Sequence, residues 1–383
     1  MSTKSICLIS RSIYPYPISK HAQNMQTFEG WLRFWENVVV IAQIKSKDRK
    51  ISSHNKILGV LIPLILNKYF NIIYFTFFGI LEIYKLDKKY SFEVFQASDA
   101  GGAFLALIAS KIYQRKFIFE IQGDIFDFPS ENGRRFHSII VKFFSRFLAR
   151  RADYIRIVSP FLYKPLDKLN IDREKIFLVP PRCDSNLFNY QNIESNKPKQ
   201  LTNSKYNLLF VGNLIYAKGV DILLEAFALI ENEYSDVSLS YVGEGKEKQK
   251  LLNRSKELGL EKKVNFFDRI DYQDMPAMMY FSDILILPSR EEGVGRVILE
   301  AMAMKLPVVA TNVGGIPLLI DDLRDGLLFD SENVEGLKVQ ILRLIEDNEL
   351  YVNITNSAYK KFIRHYEYEV SIKKFINMYK LIL

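Results

Sequence analysis

The sequence predicts an α/β protein with two parallel-sheet domains, and three observations lead there. Apolar strand-like runs alternate with helical patterns along most of the chain, the order that builds parallel sheets through right-handed crossovers. The 383 residues are enough for two hydrophobic cores. A polar stretch over 191–204 separates one such series from a second. The expected division is therefore a first domain over 1–190, a linker over 191–204, a second domain over 205–364 and a terminal helical segment over 365–383.

Composition narrows the function classes. A hydrophobic content of 48% is ordinary for a globular protein. The formal charge of +8 points to an anionic partner: a phosphorylated substrate, a membrane surface or nucleic acid. No stretch reads as a nucleic-acid module, so no nucleic-acid partner is expected. Two cysteines, Cys7 and Cys183, form no disulfide framework and suit a reducing compartment. The apolar stretch within residues 1–10 is too short for a secretory signal, so a cytoplasmic protein is expected. The four histidines, His21, His54, His137 and His365, lack metal-ligand spacing.

In the first half, residues 6–10 read as a strand. A loop over 11–21 follows, stiffened by Pro15 and Pro17. A helix over 24–35 and a strand over 38–42 come next. Residues 57–84 are the longest apolar region, and the uncharged run 69–81 is shorter than the roughly 20 residues that span a bilayer. This region reads as a core or interfacial helix, with burial preferred to membrane contact. A strand over 92–96, a turn over 98–102, a helix over 104–113 and a strand over 116–121 precede Gln122, Gly123 and Asp124. Residues 133–151 read as a helix with Phe136, Ile139, Ile140, Phe143, Phe144 and Phe147 at helical spacing, beside Arg134, Arg135, Lys142, Arg146, Arg150 and Arg151. It is either a core helix with a solvated basic edge, the preferred reading, or a helix lying on an anionic membrane surface. Strands over 154–158 and 176–179 close this half.

The second half opens with a strand over 207–211 and the run GNLIYAKGVDILLEAFALI. Gly212 and Gly219 permit tight turns, Asp221 is placed to cap the helix, and Lys218 lies between strand and helix, where a diphosphate fits. Residues 239–242 and 264–267 read as strands. The Gly-x-Gly at 243–245 is weak evidence alone, and no Gly-x-Gly-x-x-Gly follows the first strand, which disfavours an NAD-dependent enzyme. The strand over 284–287 ends at Pro288 and Ser289. The turn after it carries Glu291, Glu292, Gly293 and Gly295, and a helix with Val297, Ile298, Ala301 and Met302 on one side runs to Pro307. Glycines there let the backbone approach a ligand, and free N–H groups at the helix start suit a diphosphate. Glu292 and Glu300 are acceptors for hydroxyls, since carboxylates repel phosphate.

The block Glu292-Gly293-Val294-Gly295, then Glu300-Ala301-Met302-Ala303, then Pro307 to Thr311 resembles the nucleotide-sugar site of retaining glycosyltransferases of family 4. That is the Glu-x7-Glu group with the GT-B fold, two Rossmann-like parallel-sheet domains facing a central cleft. The resemblance is specific here and continues over most of the second half. Val294 replaces the usual Phe, Lys305-Leu306 stands where a Gly-x pair is common, and Asn213 takes the place of an Arg. In the first half Gln122-Gly123 stands for a His-Gly, residues 19–21 lack the usual Gly-Gly, and only Asp184 remains of an Asn-Gly-Val-Asp.

The resemblance implies a retaining transfer of a sugar from a nucleotide-diphosphate sugar to a glycan or lipid-diphosphate-linked acceptor, in surface polysaccharide or glycoconjugate synthesis. It implies that the terminal helix packs back on the first domain. Glu300 would accept hydrogen bonds from ribose, and Glu292 would hold the donor sugar. Lys218 and the amides from Gly293 through Val294 and Gly295 to Arg296 would take up charge on the leaving diphosphate. Gly212 and Asn213 would line the donor, Arg269 and Ile270 would flank the base, and His21, Gln122 and Asp124 would lie on the acceptor side. The chain contains no Asp-x-Asp, so no metal and no other cofactor is expected. A non-catalytic binding protein and a sugar-nucleotide epimerase on the same fold are the alternatives.

Overall fold

The computed structural model describes residues 4–13, 25–64, 68–122, 135–193, 198, 201 and 204–383. Two compact units divide the chain: Met1–Val179 with Ile372–Leu383, and Pro180–Ser371.

In the first unit the strands are β1 Ser5–Ile13, β2 Asn37–Ile44, β3 Lys50–His54, β4 Ile57–Pro63, β5 Phe92–Ala97, β6 Lys116–Ile121, β7 Tyr154–Ile157 and β8 Ile176–Leu178. They form one sheet in the order β3-β4-β2-β1-β5-β6-β7-β8, parallel except for β3, which runs antiparallel to β4. Its helices are α1 Met25–Trp31, α2 Lys68–Tyr90, α3 Ala100–Tyr113, α4 Arg135–Arg151 and α5 Tyr163–Asp167. Strand interiors such as 38–42 are buried throughout, the continuous apolar pattern of strands covered on both faces.

The second unit carries β9 Tyr206–Val211, β10 Val237–Val242, β11 Val264–Phe267, β12 Ile284–Leu287, β13 Val308–Thr311 and β14 Leu327–Phe329. The order is β11-β10-β9-β12-β13-β14, all parallel. This is the doubly wound order of a Rossmann-type sheet, whose switch point lies between β9 and β12. Its helices are α6 Val220–Glu233, α7 Lys248–Glu257, α8 Met275–Tyr280, α9 Arg296–Ala303, α10 Val334–Glu346 and α11 Asn348–His365. The last helix, α12 Tyr368–Ile382, sends Phe375, Met378, Tyr379 and Ile382 into the core of the first unit.

Several expectations are corrected. Residues 57–63 are strand rather than helix, because seven apolar residues cannot be assigned by periodicity alone. The adjoining hairpin turns at Asn55, which takes a left-handed φ of 52°. Along α4 the buried positions are Ser145, Leu148 and Ala149, while Ile139, Ile140, Phe143 and Phe147 face outward. The core-helix reading of that apolar stripe is thus corrected: Leu148, Ser145 and Ala149 turn inward, and Ile139, Ile140, Phe143 and Phe147 do not. The chain joins the second unit from Pro180 onward, ahead of the 191–204 stretch. Phe188 packs on Tyr272 and Tyr190 on Tyr359, within that unit.

A buried polar network fastens α12. Arg156 pairs with Glu120 at 2.7 Å, Gln96 donates to Glu120 at 2.8 Å, and the Tyr379 hydroxyl donates to Gln96. Burial pushes the Glu120 carboxyl up, but the Arg156 charge and the donated hydrogen bonds outweigh it and hold it below its usual range. Phe375 stacks on Trp31 at 5.1 Å and meets Tyr379 edge-on at 4.9 Å. Phe375→Ala should therefore cost about 3–5 kcal/mol, the usual range for a fully buried Phe. Urea denaturation followed by signals of the first unit checks this, and a loss under about 1 kcal/mol contradicts the packing described.

Candidate functional site

The loops after β9 and β12 meet at the switch point, where an open α/β sheet presents its ligand site. Gly219 ends the first loop in the left-handed region, at φ 61°. A Cβ there would lie 1.9 Å from the Pro288 carbonyl oxygen, so no other residue fits without moving β12. The Arg290 and Glu291 amides donate to the Ala217 carbonyl at 2.9 and 3.2 Å. Two loops separated by some seventy residues of sequence are thus laced backbone to backbone.

That contact sets Lys218 against Glu292. The Lys218 ammonium donates to Glu292 Oε2 at 2.6 Å, the Ser289 hydroxyl reaches the same oxygen at 3.4 Å, and the Gly295 amide donates to Oε1 at 3.3 Å. Lys218 and Glu292 remain 23% and 12% exposed, so both present polar atoms to a ligand. The Glu292 carbonyl accepts from the Gly315 amide at 3.1 Å, and a Cβ on Gly314 would strike that same carbonyl. The carboxylate is held from the side chain and from the backbone.

Gly295 caps α9 in a left-handed conformation without a side-chain cap bond, and Arg296, exposed, is its first residue. Gly293 is half-buried and Val294 buried. One turn further, Glu300 is 7% exposed and accepts from the Tyr272 hydroxyl at 3.1 Å. Burial pushes its carboxyl up to about 6, against the pull of the Arg296 charge and the Tyr272 hydrogen bond. Burial and the Glu300 charge likewise push the Cys183 thiol and the Tyr272 hydroxyl up.

Gly212 and Asn213 follow β9, half-buried and exposed. Arg269, exposed, and Ile270, half-buried, lie on the loop after β11, shortly before Tyr272. In the first unit Gln122 follows β6, exposed, and donates to Glu120 Oε1 at 2.7 Å. His21 and Asp124 lie outside the described residues. Asp221 does not cap α6: Gly219 holds the cap position, and the Asp221 carboxylate accepts from Arg290 at 2.7 and 2.8 Å. Burial pushes that carboxyl up, but the Arg290 bonds and charge hold it below its usual range.

Sequence reasoning missed Arg290 and Tyr272. Arg290 also donates to the Tyr216 carbonyl at 2.7 Å, bonds Glu332, and stacks 3.8 Å over the Tyr216 ring. Its partners come from two distant stretches, 216–221 and Glu332, so no local pattern marks it. Lys305 explains a departure noted above. It takes a left-handed φ of 56°, which a Gly accepts freely, and its ammonium lies 4.4 Å over Tyr190 and 5.2 Å over Tyr359. Those cation–π contacts offset the backbone strain. Among the described residues no group of His, Cys, Asp and Glu is arranged to hold a metal ion.

Glu300 carries a pH dependence. Its carboxyl keeps a proton to higher pH in the folded chain than at the ordinary value of 4.5. Its contribution is present below about pH 4.5 and is lost as pH rises through about 6, a change of about 2 kcal/mol. Chemical denaturation of the wild type and Glu300→Gln should therefore give a stability difference that changes between pH 4.5 and 7. A difference that stays flat across that range would falsify the assignment.

Comparison with known proteins agrees with this geometry. Residues 192–361 match the family described as "Glycosyl transferases group 1". An uncharacterized glycosyltransferase of Haemophilus influenzae is 34% identical over 192 residues, covering 50% of this chain and 52% of that one. The N-acetyl-alpha-D-glucosaminyl L-malate synthase of Bacillus anthracis is 28% identical over 235 residues, 61% of each chain. The chain thus spans about half to three-fifths of the length of the curated relatives it matches. Among solved structures, sucrose-phosphate synthase from Thermosynechococcus elongatus superposes with a TM-score of 0.82 at 17% identity over 99% of both chains. Anabaena HepE in complex with UDP-glucose gives 0.77 at 19% identity over 99% of this chain and 100% of that one. Residues 192–361 match the glycosyl transferases group 1 family, and the chain's two parallel-sheet α/β units have the GT-B fold.

Proposed function

We propose that the protein is a glycosyltransferase that moves a sugar from a nucleotide-diphosphate sugar to a glycan or lipid-linked glycan acceptor, with retention of configuration. The observation that carries the reading is the meeting of Lys218 and Glu292 at the carboxyl ends of β9 and β12, beside the start of α9, where no side chain bonds the free amides. A diphosphate laid there finds the ammonium and the amides at the α9 start. Glu292, already fixed by Ser289 and Gly295, keeps acceptor capacity for a donor-sugar hydroxyl. Glu300, ionised above about pH 6, accepts from ribose hydroxyls. HepE has been solved with UDP and with UDP-glucose, which supports uridine diphosphate sugars as the first donors to test.

In the transfer, the bond from the anomeric carbon to the diphosphate oxygen breaks, an acceptor hydroxyl oxygen bonds that carbon and gives its proton to the leaving diphosphate, and negative charge grows on the leaving group as its bond lengthens. Lys218 and the amides at the start of α9 stabilise that charge, the electrostatic contribution that usually dominates. Glu292 orients the ring. Gln122 is proposed on the acceptor side, with His21 and Asp124, and the product belongs to surface polysaccharide or glycoconjugate synthesis. A second reading, a binding protein without transfer, is favoured by the exposed Asn213 in place of an Arg. Release of labelled sugar from UDP-glucose, GDP-mannose and ADP-glucose separates the two, since a binding protein releases none.

Lys218→Ala should weaken binding of a nucleoside diphosphate at least about tenfold, as a charged hydrogen bond is lost, while leaving the nucleoside nearly unaffected. Calorimetry with both ligands checks this, and equal losses for the two would remove Lys218 from the diphosphate. Because the site offers an ammonium and amides to the diphosphate and the sequence has no Asp-x-Asp, transfer should persist in excess EDTA. Activity abolished by EDTA and restored by Mg²⁺ or Mn²⁺ would overturn that expectation.

A further inference from the structure

The first unit carries an outward apolar face that nothing in the donor chemistry uses. The connections β4 to β5, β5 to β6 and β6 to β7 all step the same way across the sheet, so right-handed crossovers place α2, α3 and α4 on one face. Their packing agrees. Gly79 of α2 lies against Leu105 of α3, and Phe104 of α3 lies 5.3 Å from Phe144 of α4. We propose that the outer face of α2 and α4 is a docking surface for an anionic lipid bilayer, on which the helices lie flat.

The argument begins with periodicity. On α2 the side toward the protein is Phe75, Gly79 and Ile83, all buried. The side turned away repeats Ile73, Phe77, Leu81 and Tyr84, with Ile73 67% and Phe77 60% exposed. On α4 the outward stripe includes Ile140 and Phe143, the latter 74% exposed. Exposed apolar residues are normally scattered singly, and stripes on two helices of one layer mark an interaction surface. Among the described residues no helix is long and apolar enough to cross a membrane, so the contact is one of helices lying in the interface.

Charge selects the partner. On α2 the carboxylates are withdrawn from solvent: Glu82 is buried and paired with Arg49 at 2.6 Å, and half-buried Asp87 accepts from the Phe92 amide. The sequences of α3 and α4 contain no carboxylate. Exposed Lys85, Lys88 and Lys89 of α2, Lys111 of α3, and Arg150 and Arg151 of α4 lie toward the helix C-terminal ends. The strands run parallel, so these helices run parallel and their cations gather along one rim. An apolar band with a basic rim matches acyl chains beneath anionic headgroups. A second copy of the chain related by a two-fold axis along the helices would bring the two basic rims together.

The surface belongs to the first unit, so its test is independent of the donor site. The full chain is sedimented with vesicles of phosphatidylglycerol and phosphatidylcholine, and with vesicles of phosphatidylcholine alone. The wild type should pellet with the mixed vesicles at low salt, be released at high salt, and stay in the supernatant with neutral ones. Phe77→Ser with Phe143→Ser, and Lys85→Glu with Lys88→Glu, should each lower the bound fraction at least about fivefold, with circular dichroism confirming the fold. Hydrogen exchange on the wild type needs no variant, and the mixed vesicles should slow exchange over 68–90 and 139–151. Wild-type protein left in the supernatant, exchange unchanged in both helices, or binding that survives both double substitutions would each overturn the proposal. So would light scattering that finds a dimer dissolved by the Phe substitutions.

Discussion

The second unit is organised by one close approach, that of Gly219 to the Pro288 carbonyl. A gap too small for a methyl group locks the loop after β9 to the loop after β12. Because those strands flank the switch point, locking them fixes where the site can be. The amide bonds to Ala217 and the pairing of Lys218 with Glu292 follow from that one distance. Arg290 braces the same junction from behind, reaching Asp221, Glu332 and the Tyr216 carbonyl. The charged residues that meet a ligand are thus carried on backbone with little freedom to rearrange, a condition for electrostatic stabilisation without reorganisation.

Burial separates the roles of the two glutamates. Glu292 stays partly open and is satisfied by a cation and an amide, so it is poised to exchange partners. Glu300 lies under Tyr272 and beside Cys183, where charge is costly. Eight positions apart on one turn and helix, the same side chain meets two dielectric environments. The helix geometry alone accomplishes this, since α9 begins at the surface and ends in the core.

The doubly wound organisation was legible because buried parallel strands leave unbroken apolar runs, as at 207–211 and 284–287. Glu292 and Glu300 were legible because turn and helix are contiguous in sequence. Lys218 and Glu292 were each found, but their contact was not, since it depends on a crossing of loops about seventy residues apart. Arg290 and Tyr272 stayed hidden for the same reason. The helical assignment of 57–63 failed on ambiguity, because a short apolar run fits strand and helix alike. The orientation of α4 was misjudged because helical spacing shows that one stripe is apolar, not which way it turns. The inward side is taken by Ser145, Leu148 and Ala149. The Lys305 departure became intelligible only with its backbone angle and the two tyrosine rings under its ammonium.

The placement of α12 inverts the order of synthesis and completion. The second unit is continuous from Pro180 to Ser371, so all its strands and helices leave the ribosome together. The first unit begins earlier yet lacks Phe375, Met378 and Tyr379 until the rest of the chain has been made. Through that interval Trp31 and Trp35 have no ring partner from α12, and the Arg156, Glu120 and Gln96 network lacks its tyrosine. Translation from the N-terminus usually lets the leading domain settle first. Here one wall of the leading sheet's core is supplied by residues made only after those of the trailing unit.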